Sequence, residues 1–191
     1  MAGRQAKVLS PRALTRMQRA VKRGNTPERD WVIVLLSVKA GLRACEIARV
    51  AWPMVLDARG RVAHALELPD KAAKRRSGRR VPLHPQLRQA LTQLQRIGDA
   101  SGPVVRSARG GHMRPNSIVN WFVTLYRQLD LAGCSSHSGR RTFITQAARM
   151  VHRTGGSLRD VQLLAGHQSI ETTQHYIDGD SAAQHRLVAL L

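Results

Sequence analysis

Four short segments of this chain combine residue types that could act together on a phosphate group. They are GLRACE, with Arg43 and Glu46; KAAKRRSGRRVPL, with Lys71 and Lys74; SHSGRRTFIT, with His137 and Arg140; and AGHQSIETTQHY, with His167 and Tyr176. Each segment alone is also typical of ordinary structure, since a tyrosine at a helix end is usually a packing residue. Together, however, they supply arginines, lysines, imidazoles and a phenol.

This set of residue types suits the cleavage of a phosphodiester by a protein nucleophile. Paired guanidinium groups neutralise the non-bridging oxygens as the transition state forms. A tyrosine hydroxyl attacks well only when a base such as histidine takes its proton, and the leaving oxygen needs an acid such as a lysine. The sequence has no carboxylate cluster of the kind that holds Mg²⁺, and Cys45 and Cys134 lack metal-ligand spacing. It therefore predicts neither a metal nor another cofactor.

The net charge indicates the partner. The chain has 191 residues, a formal charge of +19 and a sequence pI near 11.7. A domain this basic usually binds a polyanion, most often nucleic acid. A membrane surface is the alternative, but it favours an apolar face rich in Trp or Phe, and only 4% of this chain is aromatic. The absence of a long apolar run or a secretory signal favours a cytoplasmic, nucleoid-associated protein.

The first 25 residues contain a strongly basic helix. Ser10 and Pro11 form a cap and first-turn pair, which predicts a helix running to about residue 23. Its arginines recur along one stripe, opposite a second stripe formed by Leu14, Met17 and Val21. We expect the apolar stripe to pack and the basic one to bind DNA phosphates, although a solvated basic face is equally consistent with the pattern. The basic stripe comprises Arg12, Arg16, Arg19 and Arg23.

The rest of the pattern predicts a mainly α domain with a small antiparallel β-hairpin. Residues 26–40 indicate a buried helix ended by Gly41 in the left-handed region, and residues 62–83 indicate strand, turn and strand. Further helices are predicted near residues 43–50, 84–98, 116–131, 137–152, 157–166, 169–177 and 181–190. No linker divides the chain, so residues 1–191 are predicted to form a single domain.

The order and wording of the four segments resemble the catalytic domain of the tyrosine recombinases, the phage lambda integrase family. GLRACE is similar to the family's GLRxxEL box, and KRRSGRRVPL to its hairpin lysine followed seven residues later by VPL. SHSGRRTFIT is similar to the HxxR box, and AGHQSIETTQHY to the LGH box that leads to the nucleophile. Three positions depart from the usual pattern, namely Gly139, Arg141 and Ala165.

The resemblance implies a DNA breaking and rejoining fold and a role for each site residue. Arg43 and Arg140 would bind the scissile phosphate, with His167 as a further hydrogen-bond donor. His137 would accept the proton of Tyr176, which would form a 3′-phosphotyrosine link without ATP or metal. Lys74 would protonate the leaving 5′ oxygen, with Lys71 as the alternative, and Glu46 would orient its basic neighbours. The residues expected to contact DNA are Arg12, Arg16, Arg19, Arg23, Lys71, Arg75, Arg76, Arg79 and Arg141.

The family's usual separate N-terminal domain is not expected before residue 43, so the chain is either a minimal recombinase or a fragment. The resemblance also implies double-stranded DNA as partner, with a DNA-bending accessory protein. The chain would form a homotetramer on DNA and could be a monomer when free. Residues 178–191 would pack on a neighbouring protomer or on their own domain. Two alternatives to recombination are a type IB topoisomerase and a DNA-binding protein that no longer cleaves.

Overall fold

The computed structural model describes residues 6–73, 77–176, 188 and 189. Over these residues the fold is mainly helical with one two-stranded antiparallel sheet, which confirms the predicted fold class. The elements are α1 Pro11–Lys22, α2 Pro27–Lys39, α3 Ala44–Ile47, β1 Ala65–Leu68, β2 Arg79–Pro82, α4 Pro85–Ile97, α5 Pro115–Gln128, α6 Ser138–Met150, α7 Leu158–Ala165 and α8 Ile170–Gln174. Short 3-10 turns occupy Trp52–Met54 and Val151–Thr154.

Helix α1 begins at the predicted residue and turns its predicted apolar face toward the core. The Ser10 hydroxyl accepts a hydrogen bond from the Ala13 amide at 3.2 Å, and Pro11 fills the first turn. The helix buries Met17 and Val21 against the core. Its four stripe arginines are exposed on the opposite side, so the amphipathic character predicted for this helix is confirmed.

Helix α2 forms the centre of the molecule and packs against α1, α4 and α6. Every residue from Val32 to Val38 is buried, which explains its nearly continuous apolar sequence. Gly41 follows the helix with φ +64°, and a Cβ there would lie 2.4 Å from the ring of Phe143. Glycine is therefore required both for the left-handed turn and for the close approach of α6.

The sheet is a hairpin, as predicted. Strand β1 pairs antiparallel with β2, with Leu66 opposite Val81 and Leu68 opposite Arg79. The Asp70 carboxylate accepts a hydrogen bond from the Gly78 amide at 2.8 Å, which closes the base of the loop. Three predicted site residues, Lys74, Arg75 and Arg76, lie outside the described residues.

The core has two parts. The larger cluster contains residues of the five helices from α1 through α5 and of the sheet. The smaller cluster lies where α6 and α7 meet. Tyr176 packs against the smaller cluster. The predicted helix over residues 181–190 lies outside the described part of the chain apart from residues 188 and 189, of which Val188 is exposed. Within the described ranges, no helix has the length and apolarity needed to cross a membrane.

Candidate active site

Arg140 is the most deeply placed cation of the site. Helix α6 holds it at 3% exposure, where its two terminal nitrogens each donate a 2.7 Å hydrogen bond, to the carbonyls of Gly41 and Ala165. Burial and then the nearby charge of Arg43 lower its pKa to about 10. The guanidinium therefore stays charged at neutral pH. Its remaining N–H groups do not bond to these two carbonyls.

The Glu46 carboxylate, on α3, lies fully buried between two arginines. It accepts from Arg43 at 3.0 Å and from both terminal nitrogens of Arg79 at 3.2 and 3.1 Å, and it also accepts from the Arg43 amide at 2.9 Å. Burial alone would raise its pKa, but the hydrogen bonds and charges of Arg79 and Arg43 outweigh burial and lower it to about 2. The three residues thus form a group that is ionised at neutral pH and holds the Arg43 guanidinium, while the supporting role of Glu46 stays a prediction.

Arg79 belongs to this buried group, which differs from the prediction that it contacts DNA. Its side chain is 6% exposed, and besides pairing with Glu46 its Nε donates to the Leu164 carbonyl at 2.9 Å. A Cβ at Gly166 would lie 2.8 Å from the Arg79 guanidinium. Arg79 therefore links the hairpin to the end of α7 instead of facing solvent.

His167 is the next residue in the chain after Gly166. The residue is 9% exposed, and its Nδ1 is 2.9 Å from the Thr173 hydroxyl. Burial, and then the charges of Arg140, Arg43 and Arg79, lower its pKa to about 4. At neutral pH the imidazole is therefore uncharged and can serve as a hydrogen-bond donor or acceptor instead of a cation.

Tyr176 stacks on the ring of His167. The two ring centroids are 5.5 Å apart and the interplanar angle is 25°. The Arg141 guanidinium lies 5.8 Å from the centre of the tyrosine ring, and the Tyr176 carbonyl accepts a long, 3.4 Å hydrogen bond from Thr145. Arg141, predicted to contact DNA, therefore contacts the predicted nucleophile.

Two cavities connect these groups. One, of about 380 Å³, is lined by Arg43 and His167 among others. The second, of about 470 Å³, is lined by Arg140, His137 and Tyr176. Thr172 lines both, so the two cavities adjoin at this residue, and the adjoining pair, bordered by Arg43, Arg140, His167 and Tyr176, is called the depression below. No group of three or more metal-ligating side chains occurs among the residues described.

His137 and the two lysines complete the predicted set. His137 is exposed at the N-cap of α6 and lines the same cavity as Arg140, as their spacing predicts. Lys71 is exposed near the start of the hairpin loop. Because Lys74 lies outside the described residues, the choice of general acid between the two lysines stays a prediction.

Gly139 has a packing reason for its departure from the family pattern. A Cβ at this position would lie 2.1 Å from the Ser37 hydroxyl oxygen and 2.8 Å from its Cβ. Helix α6 therefore approaches α2 more closely than a side chain at Gly139 would allow. This close approach sets the position of the neighbouring Arg140.

Sequence reasoning missed three residues at the site, Thr172, Thr173 and His175. Thr172 and His175 line the cavities, and Thr173 is fully buried against His167. Their signal is positional, since all three lie between the two residues selected for chemistry. A buried threonine is too common a feature to select by residue type alone.

The comparisons with known proteins agree with this arrangement. The chain is 31% identical over 170 residues to the tyrosine recombinase XerC of Mesorhizobium japonicum, covering 83% of this chain and 51% of that protein. It is 30% identical over 169 residues to XerC of Brucella suis, covering 83% and 50%. The chain thus spans about half the length of the curated relatives it matches.

Solved structures share the fold. The Tn1549 transposon integrase in complex with a circular intermediate DNA superposes with a TM-score of 0.74 at 16% identity, covering 100% of this chain and 67% of that one. The XerA recombinase gives 0.72 at 19% identity, covering 100% and 65%. The model of the phage integrase family matches residues 7–183, and the chain therefore belongs to that family.

Proposed function

We propose that this chain is the catalytic domain of a site-specific DNA recombinase that cleaves and rejoins DNA through a 3′-phosphotyrosine intermediate. The observation that carries the proposal is the shared depression bordered by Arg43, Arg140, His167 and Tyr176. A phosphodiester placed there would meet fixed cations on one side and the phenol on the other. The names of the relatives, tyrosine recombinases and integrases, support the same reaction.

The arginines would stabilise the charge that develops on the phosphate. Arg140 is held by two carbonyls and Arg43 by Glu46, so neither guanidinium needs to reorganise when the substrate enters. Donors fixed in advance in a partly buried site are worth more than donors ordered by the reaction. His167 would add a neutral hydrogen bond to the same phosphate.

The covalent step balances without a cofactor. The Tyr176 oxygen would attack phosphorus and form the new phosphorus–oxygen bond, while its proton passes to His137. The bond to the 5′ oxygen would break, and a lysine would donate the proton that makes it a 5′-hydroxyl. Reversal with a 5′-hydroxyl from another strand would complete strand exchange.

The hairpin lysine can be identified by changing the leaving group. We expect Lys74→Ala to slow cleavage of ordinary DNA and to recover on a substrate with a bridging 5′ sulfur, which leaves without a proton. The same rescue in Lys71→Ala, with Lys74→Ala unaffected, would transfer the acid role to Lys71.

The covalent intermediate can be trapped directly. We expect nicked suicide duplexes carrying candidate recombination sites to give a protein–DNA band on a denaturing gel, and Tyr176→Phe to lose it. Gel-shift binding of both proteins is the control. Binding without any band in the wild type would contradict cleavage and leave a DNA-binding protein.

The nearest alternative reaction is the relaxation of supercoiled DNA by a type IB topoisomerase, which would use similar residues. Relaxed circles without recombinants, from a plasmid carrying two sites, would favour that activity. For recombination we propose double-stranded DNA as partner and a homotetramer on DNA, with a bending protein assisting. Such a protein would reside in the cytoplasm at the nucleoid.

A further inference from the structure

We propose that Thr173 is a positioning residue that fixes the proton of His167 on Nε2, so that the ring donates to an anionic oxygen in the cavity. The assignment of the ring proton rests on the geometry alone, and its use toward a scissile phosphate rests on the proposed function. Thr173 lies on α8 with no exposed surface, and its hydroxyl is 2.9 Å from Nδ1 of His167.

The direction of this hydrogen bond follows from what the threonine hydroxyl can reach. Three of the other helical threonines, Thr15, Thr92 and Thr142, donate to the carbonyl four residues earlier at 3.2, 2.9 and 2.7 Å. For Thr173 the hydrogen bonds of the described residues include His167 Nδ1 and no such carbonyl. If Nδ1 carried the proton, the buried Thr173 hydroxyl would have no acceptor among the residues that the structure describes, which is unfavourable. The hydroxyl therefore donates, and Nδ1 accepts.

The position of the proton matters because the ring holds only one. Burial and three neighbouring arginines keep the pKa of His167 at about 4, so the imidazole is neutral at pH 7. A neutral ring has one N–H donor and one acceptor nitrogen. With Nδ1 occupied by Thr173, the donor is Nε2. The opposite tautomer would direct a lone pair toward a phosphate oxygen and repel it.

The same contact also fixes the surface on which Tyr176 stacks. Thr173 holds the His167 ring at one edge, and the backbone carbonyl of His167 accepts a hydrogen bond from the side-chain amide of Gln162 at 3.0 Å. Tyr176 stacks on this ring with centroids 5.5 Å apart. Thr173 thus acts through His167 on both the phosphate side and the tyrosine side of the depression.

Nitrogen-15 NMR of the histidine rings in the full chain tests the proposal without DNA. We expect His167, assigned by comparison with His167→Gln, to show a protonated Nε2 and an unprotonated Nδ1 at pH 7. Thr173→Ser, which keeps the hydroxyl, should preserve that pattern, whereas the isosteric Thr173→Val should give a mixture of tautomers. A protonated Nδ1 in the wild type, or an unchanged pattern in Thr173→Val, would overturn the proposal.

Cleavage of suicide duplexes provides the second measurement. Thr173→Val should cleave about 10- to 100-fold more slowly, by analogy with the loss of a partner that orients a metal-ligating histidine. Thr173→Ser should recover most of the rate, and Thr92→Val, at a partly exposed threonine on α4 that lines neither cavity of the site, should match the wild type. A wild-type rate in Thr173→Val would overturn the positioning role. If none of the proteins cleaves DNA, the proposed function fails, but the NMR measurement still decides which ring nitrogen of His167 carries the proton. If Thr173→Val is unfolded, the NMR measurement on Thr173→Ser decides it instead.

Discussion

Arginine occurs in this molecule in two opposite settings. Along α1 and its C-cap, Arg12, Arg16, Arg19 and Arg23 are exposed in one stripe, and the Arg16 guanidinium donates to the Leu129 carbonyl on the surface. At the site, Arg79 and Arg140 are nearly inaccessible and the side chain of Arg43 is 20% exposed. Each of these three guanidinium groups hydrogen-bonds to a buried carboxylate or to backbone carbonyls.

The difference shows how one residue type can serve two purposes. An exposed guanidinium is screened by salt and adjusts to any phosphate nearby, so it contributes to binding without fixed geometry. A buried guanidinium is costly unless paired, but it keeps its orientation before the substrate arrives. We infer that the α1 stripe serves affinity and that the buried arginines serve the transition state.

Removing Arg140 tests the buried setting most strongly. We expect Arg140→Ala to slow cleavage by at least about 10²–10³-fold, as for loss of a fixed charge-stabilising donor. Non-specific DNA binding should remain, because the α1 arginines are unchanged. Suicide-substrate cleavage and gel shifts measure the two effects, with thermal unfolding as the check on folding. Cleavage within tenfold of wild type, or loss of all binding by a folded variant, would contradict this division.

Removing the counter-charge tests how the buried arginines are held. Glu46→Gln should lower the free energy of unfolding by about 3–5 kcal/mol, since it leaves the buried Arg79 and the partly buried Arg43 without their carboxylate. The matched control is Glu67→Gln, whose ion pair with Arg80 is 63% and 73% exposed and should contribute less than about 1 kcal/mol. Equal losses in urea unfolding would mean that burial does not distinguish the two pairs.

The same carboxylate gives a pH dependence of defined sign. The pKa of Glu46 is about 2 in the folded protein against an ordinary value of 4.5, so the unfolded state takes up the proton first. Its contribution of about 3 kcal/mol is full above pH 4.5 and is lost as the pH falls toward 2. Unfolding measured from pH 6 to pH 2 should show this loss in the wild type, and Glu46→Gln should lack that part of it.

A smaller effect is expected from the backbone that carries Arg140. Gly139→Ala should destabilise the fold by about 1–3 kcal/mol, because its Cβ meets Ser37. Ser37→Ala removes the nearer of the two clashing atoms, so the double variant should be more stable than the sum of the single changes. Gly111→Ala, where a Cβ meets nothing within 4 Å, is the control. Additive losses in the double variant would exclude Ser37 as the obstacle.

The smallest effects per residue belong to the exposed stripe. Replacing one stripe arginine by glutamine should make the plot of the log of the DNA-binding constant against the log of the salt concentration less steep. The slope should change by about 0.9 for every phosphate that the arginine neutralises. The four variants are Arg12→Gln, Arg16→Gln, Arg19→Gln and Arg23→Gln. Arg12→Lys keeps the charge and should keep the slope. Fluorescence anisotropy over a salt series measures both. An unchanged slope in the fourfold glutamine variant would mean that the stripe is only a solvated face.

Local chemistry explains why much of the fold could be predicted from the sequence. The Ser10 cap, the apolar run of α2 and the turn glycine Gly41 each act within a few residues, so their signals survive without tertiary knowledge. Three of the four motifs likewise predicted residues that the structure brings to the depression, namely Arg43, the pair His137 and Arg140, and the pair His167 and Tyr176. What these signals share is that a single short segment carries each of them.

The features that the sequence did not predict depend on contacts between distant segments. A basic run shows charge but not burial, so Arg79 looked like its exposed neighbour Arg80. The two-residue period of β2, which places Arg79 on the same face as the buried Val81, was the available signal. The approach of Gly139 to Ser37 joins residues far apart in the chain, and no local pattern encodes it.

The two carbonyls that hold Arg140 have a consequence for the order in which the protein is made. They lie 99 residues before and 25 residues after the arginine in the chain. A ribosome must therefore have released the end of α7 before the guanidinium can be held as described. A nascent or truncated chain that stops short of that helix would carry the arginine without its second anchor, so the guanidinium would reach its described position only once most of the chain has been synthesised and folded.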